Sequence, residues 1–399
     1  MRQKSGIHYL SNLIIVTLFF AAIWTPMMVS LWQSFRPTTQ TSTWEKRQLA
    51  SLPNLEFNRK SIEKFPRVFE EYYKDNFGGR QELIYWHNRF LFQVLQQSPS
   101  EQVIIGKDGW LFYGHPYALE SYRGTTPFTE TELNHWQQVL EERRDWLQAR
   151  GIRYLVVFVP EKQSIYPEYL PEWLQPVGKK SRLDQLMEHL QLNSKFSVNS
   201  LPPLAETSAI IDVRDVLRSA KNNYRIYHRT DSHWNKPGVF TAYQEIIRYL
   251  GVWFPQLKPL TVADFAQEIV YREGGDLANM LGLKDVLREE VRRFSPRIPS
   301  VARAADPEIA RPDLPEDKQP FAIATGDRRL PRAVMFHDSF ALNLAPLIAE
   351  NFQRIVFLSE YEFDLPAIDK ERPDVVIQQM VERQLMAPLP DNPPQMRNF

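Results

Sequence analysis

The sequence contains no cysteine, and this absence excludes several kinds of site at once. Disulfide frameworks, cysteine zinc sites, iron–sulfur clusters and thiol nucleophiles all require that residue. The chain also lacks net charge, because 48 Lys and Arg residues balance 48 Asp and Glu residues. A nucleic-acid surface needs an excess of basic residues on at least one face, so no nucleic-acid partner is expected. The remaining composition, 43% hydrophobic and 24% charged over 399 residues, is typical of a globular chain with one large or two ordinary domains.

Charged residues are missing from one long stretch near the N-terminus. Residues 5–35 contain no Asp, Glu, Lys or Arg, and residues 10–31 would form a helix about 33 Å long, enough to cross a bilayer. Arg2 and Lys4 precede this stretch, so the positive-inside rule predicts a cytoplasmic N-terminus and export of everything after Arg36. We therefore expect an uncleaved single-pass anchor over residues 1–36. A cleaved signal peptide and a buried core helix are the alternatives.

The exported part is predicted to consist of a linker and one large domain. Residues 37–60 are polar and predict a linker that becomes an extended docking segment, and residues 61–399 form the domain. The domain begins with two helices, at residues 61–73 and 81–96, and a β-hairpin at residues 103–113.

Strands then alternate with helices in the rest of the domain. Hydrophobic patterns predict strands at 154–159, 209–212, 333–336, 354–358 and 375–377, and helices at 182–192, 238–250 and 342–350. Such alternation predicts an α/β fold with a central, mostly parallel sheet covered by helices on both faces. Residues 296–332 are rich in proline and charge, which predicts an insertion or mobile loop rather than core.

Two short segments concentrate residues that can do chemistry. Ser339 follows the predicted strand at 333–336 and precedes a helix, which is where ligands bind in open α/β sheets and where free N–H groups can hold an oxyanion. A serine nucleophile needs a histidine base that a carboxylate orients. Asp231 and His233 supply both groups, because residues two apart in an extended segment point the same way.

Each of these residues also has a simpler interpretation. Ser339 is typical of a helix cap, and the Asp231–His233 pair is typical of a cap beside a surface histidine. A third interpretation is a metal site formed by His228, Asp231 and His233. No HExxH motif or further His/Glu helical pair joins these three in the sequence.

Seven segments together resemble the alginate O-acetyltransferase family, the AlgJ/AlgX-type SGNH-hydrolase-like proteins. They occur in the family's order, as EKRQLASLP (45–53), YYKDNFGGR (72–80), VIIGKDGWLFY (103–113), TDSHWN (230–235), GGDLANML (274–281), FHDSF (336–340) and PDVVIQQMVER (373–383). The resemblance implies an SGNH-hydrolase-like three-layer fold behind the transmembrane helix. It also implies that Asp231, His233 and Ser339 are the catalytic triad, with the Asp-x-His element before the serine as in the family.

Two departures from the family pattern involve three residues. His337 stands where relatives often have Gly or Thr, so it could line the site. Gln378 and Gln379 stand where relatives often have a glutamate after the last strand.

The resemblance also implies an activity, which is transfer of acetyl groups to hydroxyls of an alginate-like exopolysaccharide in the periplasm through an acetyl-serine. It implies no soluble cofactor and no metal, with a membrane-bound O-acyltransferase as the partner that supplies the acetyl group. Ser339, Gly275 and Asn279 are the candidate oxyanion donors. A polysaccharide O-acetylesterase with the same triad, a non-catalytic subunit of an export complex and a metal hydrolase remain as alternatives.

Overall fold

The computed structural model describes residues 3–33, 41–42, 47–54 and 58–396, which form two compact units. The first unit contains the chain up to Ser100 together with Ala278–Lys284. The second contains Glu101–Leu277 and the chain from Asp285 onward. Arg2, Arg36 and part of the linker predicted at 37–60 lie outside the described residues, and the division after residues 36 and 60 stays a prediction.

The first unit is mostly helical. Its elements are α1 (Gln3–Gln33), β1 (Thr41–Ser42), β2 (Arg47–Gln48), α2 (Arg59–Asn76) and α3 (Arg80–Gln93). Within α1, Tyr9–Ser30 is long and apolar enough to cross a membrane, and no other helix of the described chain is. This segment coincides, within one residue at each end, with the span predicted at 10–31.

Local signals explain where α2 and α3 begin and end. Asn58 caps α2, since its side chain accepts a hydrogen bond from the Ser61 N–H at 2.8 Å. Gly79 has φ +79°, a left-handed conformation that glycine adopts without steric cost, and this allows the turn into α3. The helices predicted at 61–73 and 81–96 correspond to α2 and α3.

The chain after Ser100 contains the remaining elements. The strands are β3 (Val103–Ile105), β4 (Leu111–Tyr113), β5 (Arg153–Val159), β6 (Ser197–Val198), β7 (Ser208–Asp212), β8 (Phe265–Arg272), β9 (Glu289–Pro296), β10 (Arg303–Ala305), β11 (Phe321–Ala324), β12 (Arg332–Phe336), β13 (Arg354–Leu358) and β14 (Val375–Val381). The helices are α4 (Pro116–Arg123), α5 (Glu130–Gln148), α6 (Lys162–Ile165), α7 (Arg182–Asn193), α8 (Arg214–Lys221), α9 (Lys236–Trp253), α10 (Asp276–Met280), α11 (Ala341–Ile348) and α12 (Leu365–Glu371).

An eight-stranded sheet forms the centre of the second unit, in the order β10-β11-β13-β12-β14-β5-β7-β6. The strands from β13 to β6 pair in parallel, whereas β10 and β11 add an antiparallel edge. Alternate residues of β5 are buried on opposite faces. Leu155 and Val157 belong to one hydrophobic cluster with α9 and α11, while Tyr154 and Val156 belong to another with α5 and α7. Helices cover both faces, which confirms the predicted α/β three-layer fold with a mostly parallel sheet.

The segment at residues 296–332 differs from the predicted insertion loop. It contains β10 and β11, and β11 pairs along its whole length with β13 of the central sheet. Ile309 and Ala322 from this segment are buried in the core. The surrounding prolines obscured these strands, because proline argues against strand structure in a sequence pattern.

Candidate active site

Ser339 is exposed in the turn between the carboxyl end of β12 and the start of α11. The side chain of the preceding residue, Asp338, holds this turn in place. Its carboxylate accepts four hydrogen bonds, from the N–H groups of Phe340 (2.9 Å) and Val381 (2.7 Å), the Tyr361 hydroxyl (2.9 Å) and the Gln379 side-chain amide (3.0 Å). The position of Ser339 therefore depends on Asp338, which ties the turn to β14 and to the segment after β13.

His233 and Asp231 come from the loop that precedes α9. This loop folds back on itself, since the Asn235 N–H donates to the Ile226 carbonyl at 3.0 Å. His233 Nε2 lies 2.9 Å from Ser339 Oγ, and His233 Nδ1 lies 2.8 Å from Asp231 Oδ1. The structure thus brings the three predicted triad side chains into one hydrogen-bonded series. In that series Nδ1–H donates to the carboxylate and Nε2 can accept the serine proton.

The electrostatics of this pair favour a charged imidazolium. Burial alone would lower the pKa of His233, but the hydrogen bond to Asp231 and the negative charges of Asp276 and Asp231 outweigh it, so the pKa is raised. Burial alone would raise the pKa of Asp231, but hydrogen bonds and charge from His233 hold it well below its usual range. Asp231 therefore stays ionised and stabilises the protonated histidine that proton transfer from serine would create.

Asp276, the first residue of α10, is a second carboxylate beside the same histidine. Its Oδ2 lies 3.5 Å from His233 Nδ1, and Oδ1 accepts a hydrogen bond from the Ser232 N–H at 2.7 Å. Burial and the adjacent Asp231 charge raise the pKa of Asp276. The sequence contains Asp276 within GGDLANML, but nothing in the spacing predicted its contact with His233.

Gly275 has a different role from the predicted oxyanion donor. Its N–H donates to Thr230 Oγ1 at 3.0 Å, so that group is already used. A Cβ on Gly275 would lie 2.3 Å from the Asp231 Cβ, and only glycine allows this close approach. Gly275 therefore packs against the Asp231 side chain and does not point a free N–H at Ser339. Asn279 belongs to the first unit, and its role stays a prediction.

A buried lysine supports the loop that carries Asp231 and His233. Lys162, which begins α6 after β5, is 1% exposed. Its Nζ donates hydrogen bonds to three backbone carbonyls of that loop, those of His228 (3.0 Å), Arg229 (3.4 Å) and Asp231 (2.7 Å). Burial lowers the pKa of Lys162 to about 8, against the raising effect of nearby carboxylates. The sequence offered no signal for this lysine except its place after a buried strand.

The predicted metal set is not brought together. His228 Nδ1 lies 3.4 Å from Glu289 Oε1, which directs this histidine toward β9. Among the described residues, the group whose ligand atoms lie within 4.8 Å of one another is Asp231, His233 and Asp276. Two members of this group, Asp231 and His233, already share the hydrogen bond between Oδ1 and Nδ1, so they belong to the hydrogen-bonded series that ends at Ser339.

The three residues that depart from the family pattern have structural roles. His337 is buried rather than lining the site, with Nδ1 2.7 Å from the Asp338 carbonyl oxygen. Gln379 makes two hydrogen bonds with Asp338, one to its carboxylate and one from its N–H at 3.3 Å. Gln378 Oε1 accepts from Arg143 Nη1 at 3.1 Å in the core. These side chains support the turn and the sheet beneath it.

Arg383 is the last residue of the family segment at 373–383, but nothing in the sequence predicted its place beside the site. It follows β14, and its Nη1 donates to Glu161 Oε1 at 2.6 Å. Its guanidinium lies 5.7 Å from the centre of the Phe340 ring, which itself lies 4.8 Å from the His233 ring. This fixed positive charge beside the site opposes the increase in the pKa of His233.

Comparisons with known proteins agree with this architecture. Residues 103–324 match the family described as SGNH hydrolase-like domain, acetyltransferase AlgX. The chain is 28% identical over 249 residues to the probable alginate O-acetylase AlgJ of Pseudomonas aeruginosa, covering 60% of this chain and 56% of that protein. It is 26% identical over 159 residues to the protein of the same name from Pseudomonas syringae, covering 40% of this chain and 34% of that one. The chain thus spans about half the length, or less, of these curated relatives.

A solved structure supports the fold alone. Bacillus cereus PatB1 is 16% identical, with a TM-score of 0.50 over 71% of this chain and 96% of that one. The family match ends at residue 324, so it includes Asp231 and His233 but stops before Ser339. Since it nevertheless covers more than half of the sequence, this chain belongs to the SGNH hydrolase-like acetyltransferase family of AlgX.

Proposed function

We propose that this chain is an O-acetyltransferase that transfers acetyl groups to hydroxyls of an extracytoplasmic, alginate-like polysaccharide. The observation that carries the proposal is the hydrogen-bonded series from Asp231 through His233 Nδ1 and Nε2 to Ser339 Oγ. Membership of an acetyltransferase family and the alginate O-acetylase names of the relatives support the reaction and the acceptor.

In the first half-reaction, Ser339 Oγ attacks the carbonyl carbon of the acetyl donor while His233 Nε2 takes the hydroxyl proton. The C–O bond that forms yields a tetrahedral oxyanion, and its collapse breaks the bond to the leaving group. His233 returns the proton to that group, and Ser339 keeps the acetyl as an ester. Asp231 holds Nδ1–H, so Nε2 has its lone pair available for this transfer.

In the second half-reaction, a sugar hydroxyl attacks the acetyl-serine carbonyl. His233 Nε2 takes the proton of that hydroxyl, and the collapse of the second oxyanion returns the proton to Ser339 Oγ. The products are the acetylated sugar and the free serine. No cofactor enters either half of the reaction.

The oxyanion donor in this scheme is the Ser339 backbone N–H. The neighbouring Phe340 N–H is unsuitable because it donates to Asp338 Oδ1 at 2.9 Å. Within the described part of the chain, the Ser339 N–H donates no hydrogen bond. Negative charge develops on the acetyl oxygen during the reaction, and a donor that is already in place and makes no other hydrogen bond can stabilise it.

Helix α1 supports a membrane setting for this activity. Tyr9–Ser30 would serve as a single-pass anchor with the N-terminus in the cytoplasm, and residues 61–399 would lie in the periplasm after the linker at 37–60. The acetyl group would then come from a membrane-bound O-acyltransferase beside the anchor. Tethering both proteins to one membrane raises their effective concentration without a diffusible carrier.

A polysaccharide O-acetylesterase with the same triad is the second candidate. The observation that favours it is the exposure of Ser339, since water that reaches an acetyl-serine competes with a sugar hydroxyl. The two activities share the first half-reaction and differ only in the acceptor of the second.

The test compares the two acceptors directly. The full-length protein in detergent is incubated with 4-nitrophenyl acetate, with and without oligomannuronate, and acetylated oligosaccharide and free acetate are both quantified. A transferase forms acetylated oligosaccharide at the expense of free acetate, whereas an esterase releases acetate regardless of the sugar. Ser339→Ala abolishes both products, while Ser219→Ala, a surface serine on α8, leaves them unchanged. Equal background rates for the wild type and Ser339→Ala would favour a non-catalytic subunit.

A further inference from the structure

Helix α3 carries a row of exposed apolar side chains, here named the α3 stripe. The row consists of Leu83, Trp86, Phe90 and Val94, which are 56%, 60%, 52% and 62% exposed. Their spacing of three or four residues puts all of them on one face of the helix. The opposite face packs inside the first unit, where the Asn88 side chain is buried and donates to the Leu281 carbonyl at 2.8 Å. His87 is exposed on the same side, between Leu83 and Phe90. An exposed row of four large apolar side chains indicates a surface that something covers.

The position of α3 relative to α1 indicates what covers it. The α2–α3 turn contacts the end of α1, where the Gly78 N–H donates to Ser30 Oγ at 2.7 Å. A Cβ on Gly78 would lie 2.3 Å from the Ser30 backbone nitrogen and 2.5 Å from the Pro26 carbonyl oxygen. The two backbones are therefore in direct contact, and glycine is needed for that contact.

Ser30 is also the last residue of the candidate membrane span. The turn that begins α3 consequently lies at the level where α1 would leave the bilayer.

Helix α2, which precedes this turn, also has a row of exposed apolar side chains. Ile62, Phe69 and Tyr73 are 53%, 41% and 48% exposed, and α2 has no buried residue. Charged residues alternate with this apolar row, including the Glu70–Lys74 ion pair at 2.7 Å. Helices that combine an exposed apolar face, a charged face and aromatic residues lie in the plane of a membrane interface.

We propose that α3 lies along the extracytoplasmic surface of the membrane, with the α3 stripe inserted among the lipid headgroups and upper acyl chains. Trp86 is the interfacial aromatic anchor of this contact. Arg89, whose guanidinium lies 5.3 Å from the centre of the Trp86 ring and whose Nε donates to Gln93 Oε1 at 2.9 Å, puts a positive charge beside this anchor, where lipid phosphates would lie. The first unit thus contacts the bilayer through two surfaces, the spanning helix and the stripe, and this holds it close to the membrane. The inference rests on the membrane anchoring of α1 proposed above.

The absence of cysteine makes a clean test possible, because a single introduced thiol is the only labelling site. The full-length protein is reconstituted into nanodiscs of phosphatidylethanolamine with a minor share of phosphatidylglycerol. Nitroxide labels are placed at Leu83→Cys and Phe90→Cys. Gln81→Cys, an exposed position in the first turn of α3 that faces away from the α3 stripe, is the matched control, and Ile15→Cys in α1 is the reference for the spanning helix.

Collision rates with oxygen, which concentrates in lipid, and with a water-soluble nickel complex are then compared. We expect the labels at positions 83 and 90 to have oxygen-to-nickel ratios several-fold higher than the label at 81 and close to that at 15. Ratios equal to that at position 81, or shielding from both reagents by a protein surface, would overturn the proposal. A water-exposed label at position 15 would instead contradict the anchoring of α1, so the two failures are distinguishable.

A second measurement does not depend on labelled variants. Brominated lipids should quench the tryptophan fluorescence of the wild type more than that of Trp86→Phe. Equal quenching of the two proteins would contradict insertion of Trp86.

Discussion

Two segments meet at the candidate active site, and groups of opposite charge hold them. The Ser339 turn is organised by a carboxylate, since Asp338 accepts four hydrogen bonds from its surroundings. The Asp231–His233 loop is organised by an ammonium group, since Lys162 donates to three of its carbonyls. Neither of these organising groups is hydrogen-bonded to Ser339 Oγ or to the His233 ring. The nucleophile and the base are therefore fixed by separate means, and each can be disturbed while the other stays in place.

The two organising groups also differ in solvation. Lys162 is almost fully buried, whereas Asp338 is half-buried. Burial disfavours the charged ammonium of Lys162 and lowers its pKa to about 8. The Asp231–His233 loop, here named the base loop, should therefore be the segment that responds to alkaline pH. The following predictions test this comparison in order of decreasing effect.

The largest effect is expected from Asp338→Asn. The amide keeps the shape of the carboxylate but faces four donors with only one acceptor oxygen, so at least one hydrogen bond is lost. We expect a loss of ~3 kcal/mol in the free energy of unfolding, and a fall of about 10²-fold in acetyl-ester turnover because Ser339 is displaced. Urea unfolding and 4-nitrophenyl acetate turnover measure the two effects. Asp313→Asn, at an exposed position, is the control, and turnover at the wild-type level would show that Asp338 does not position Ser339.

A smaller effect is expected from Lys162→Met, which keeps the length of the side chain and removes its donors. Three carbonyls of the base loop then lack their partner, and we expect turnover to fall about tenfold, less than for a full displacement of the base. We also expect the activity of the wild type to decrease above about pH 8, as Lys162 loses its proton, and this decrease should be absent from Lys162→Met. A decrease that remains unchanged would assign it to another group.

Lys162 also makes a signed prediction for stability. Its pKa is lowered on folding, from 10.5 to about 8, so between these values the unfolded chain binds more protons than the folded chain. The contribution of Lys162 to the free energy of unfolding therefore rises with pH across that window. Urea unfolding at both ends of the window should show this rise in the wild type and lose it in Lys162→Met. If the free energy of unfolding changes equally with pH in the wild type and in Lys162→Met, the lowered pKa of Lys162 is contradicted.

The smallest effect is expected from Asp276→Asn. Removing this negative charge should lower the pKa of His233, which Asp276 helps to raise. The neutral form of His233 is the base, so we expect activity to fall at acid pH as His233 becomes protonated. In Asp276→Asn this fall should move to lower pH, by less than about one unit because the pair is partly solvated. The pH profile of turnover measures the shift. Movement in the opposite direction would contradict the electrostatic role of Asp276.

The sequence was sufficient to predict the central sheet and the three triad candidates. Strand β5 is a continuous run of β-branched and aromatic residues, and such a run is typical of a strand buried on both faces. Local spacing and flanking elements made Asp231, His233 and Ser339 candidates, and the family resemblance implied that the three form a triad.

The supporting residues were not predictable, because their contacts join distant parts of the chain. Lys162 and Asp276 meet the base loop from positions 69 and 44 residues away from Asp231 and Ser232, respectively. No periodic pattern specifies such contacts. The contacts of Gly275, a candidate oxyanion donor by its sequence, were equally unpredictable, since its N–H bonds Thr230 and its missing side chain makes room for Asp231.

The measurement that tests the proposed chemistry most directly is a search for acetyl-Ser339. The full-length protein is treated briefly with 4-nitrophenyl acetate, quenched in acid and analysed by intact-protein and peptide mass spectrometry beside His233→Ala and Ser339→Ala. We expect one added acetyl mass on the peptide that contains Ser339, formed about 10²–10⁴-fold more slowly in His233→Ala and absent from Ser339→Ala. An acetyl group on a different residue, or equal labelling of the wild type and His233→Ala, would contradict a nucleophilic Ser339 activated by His233.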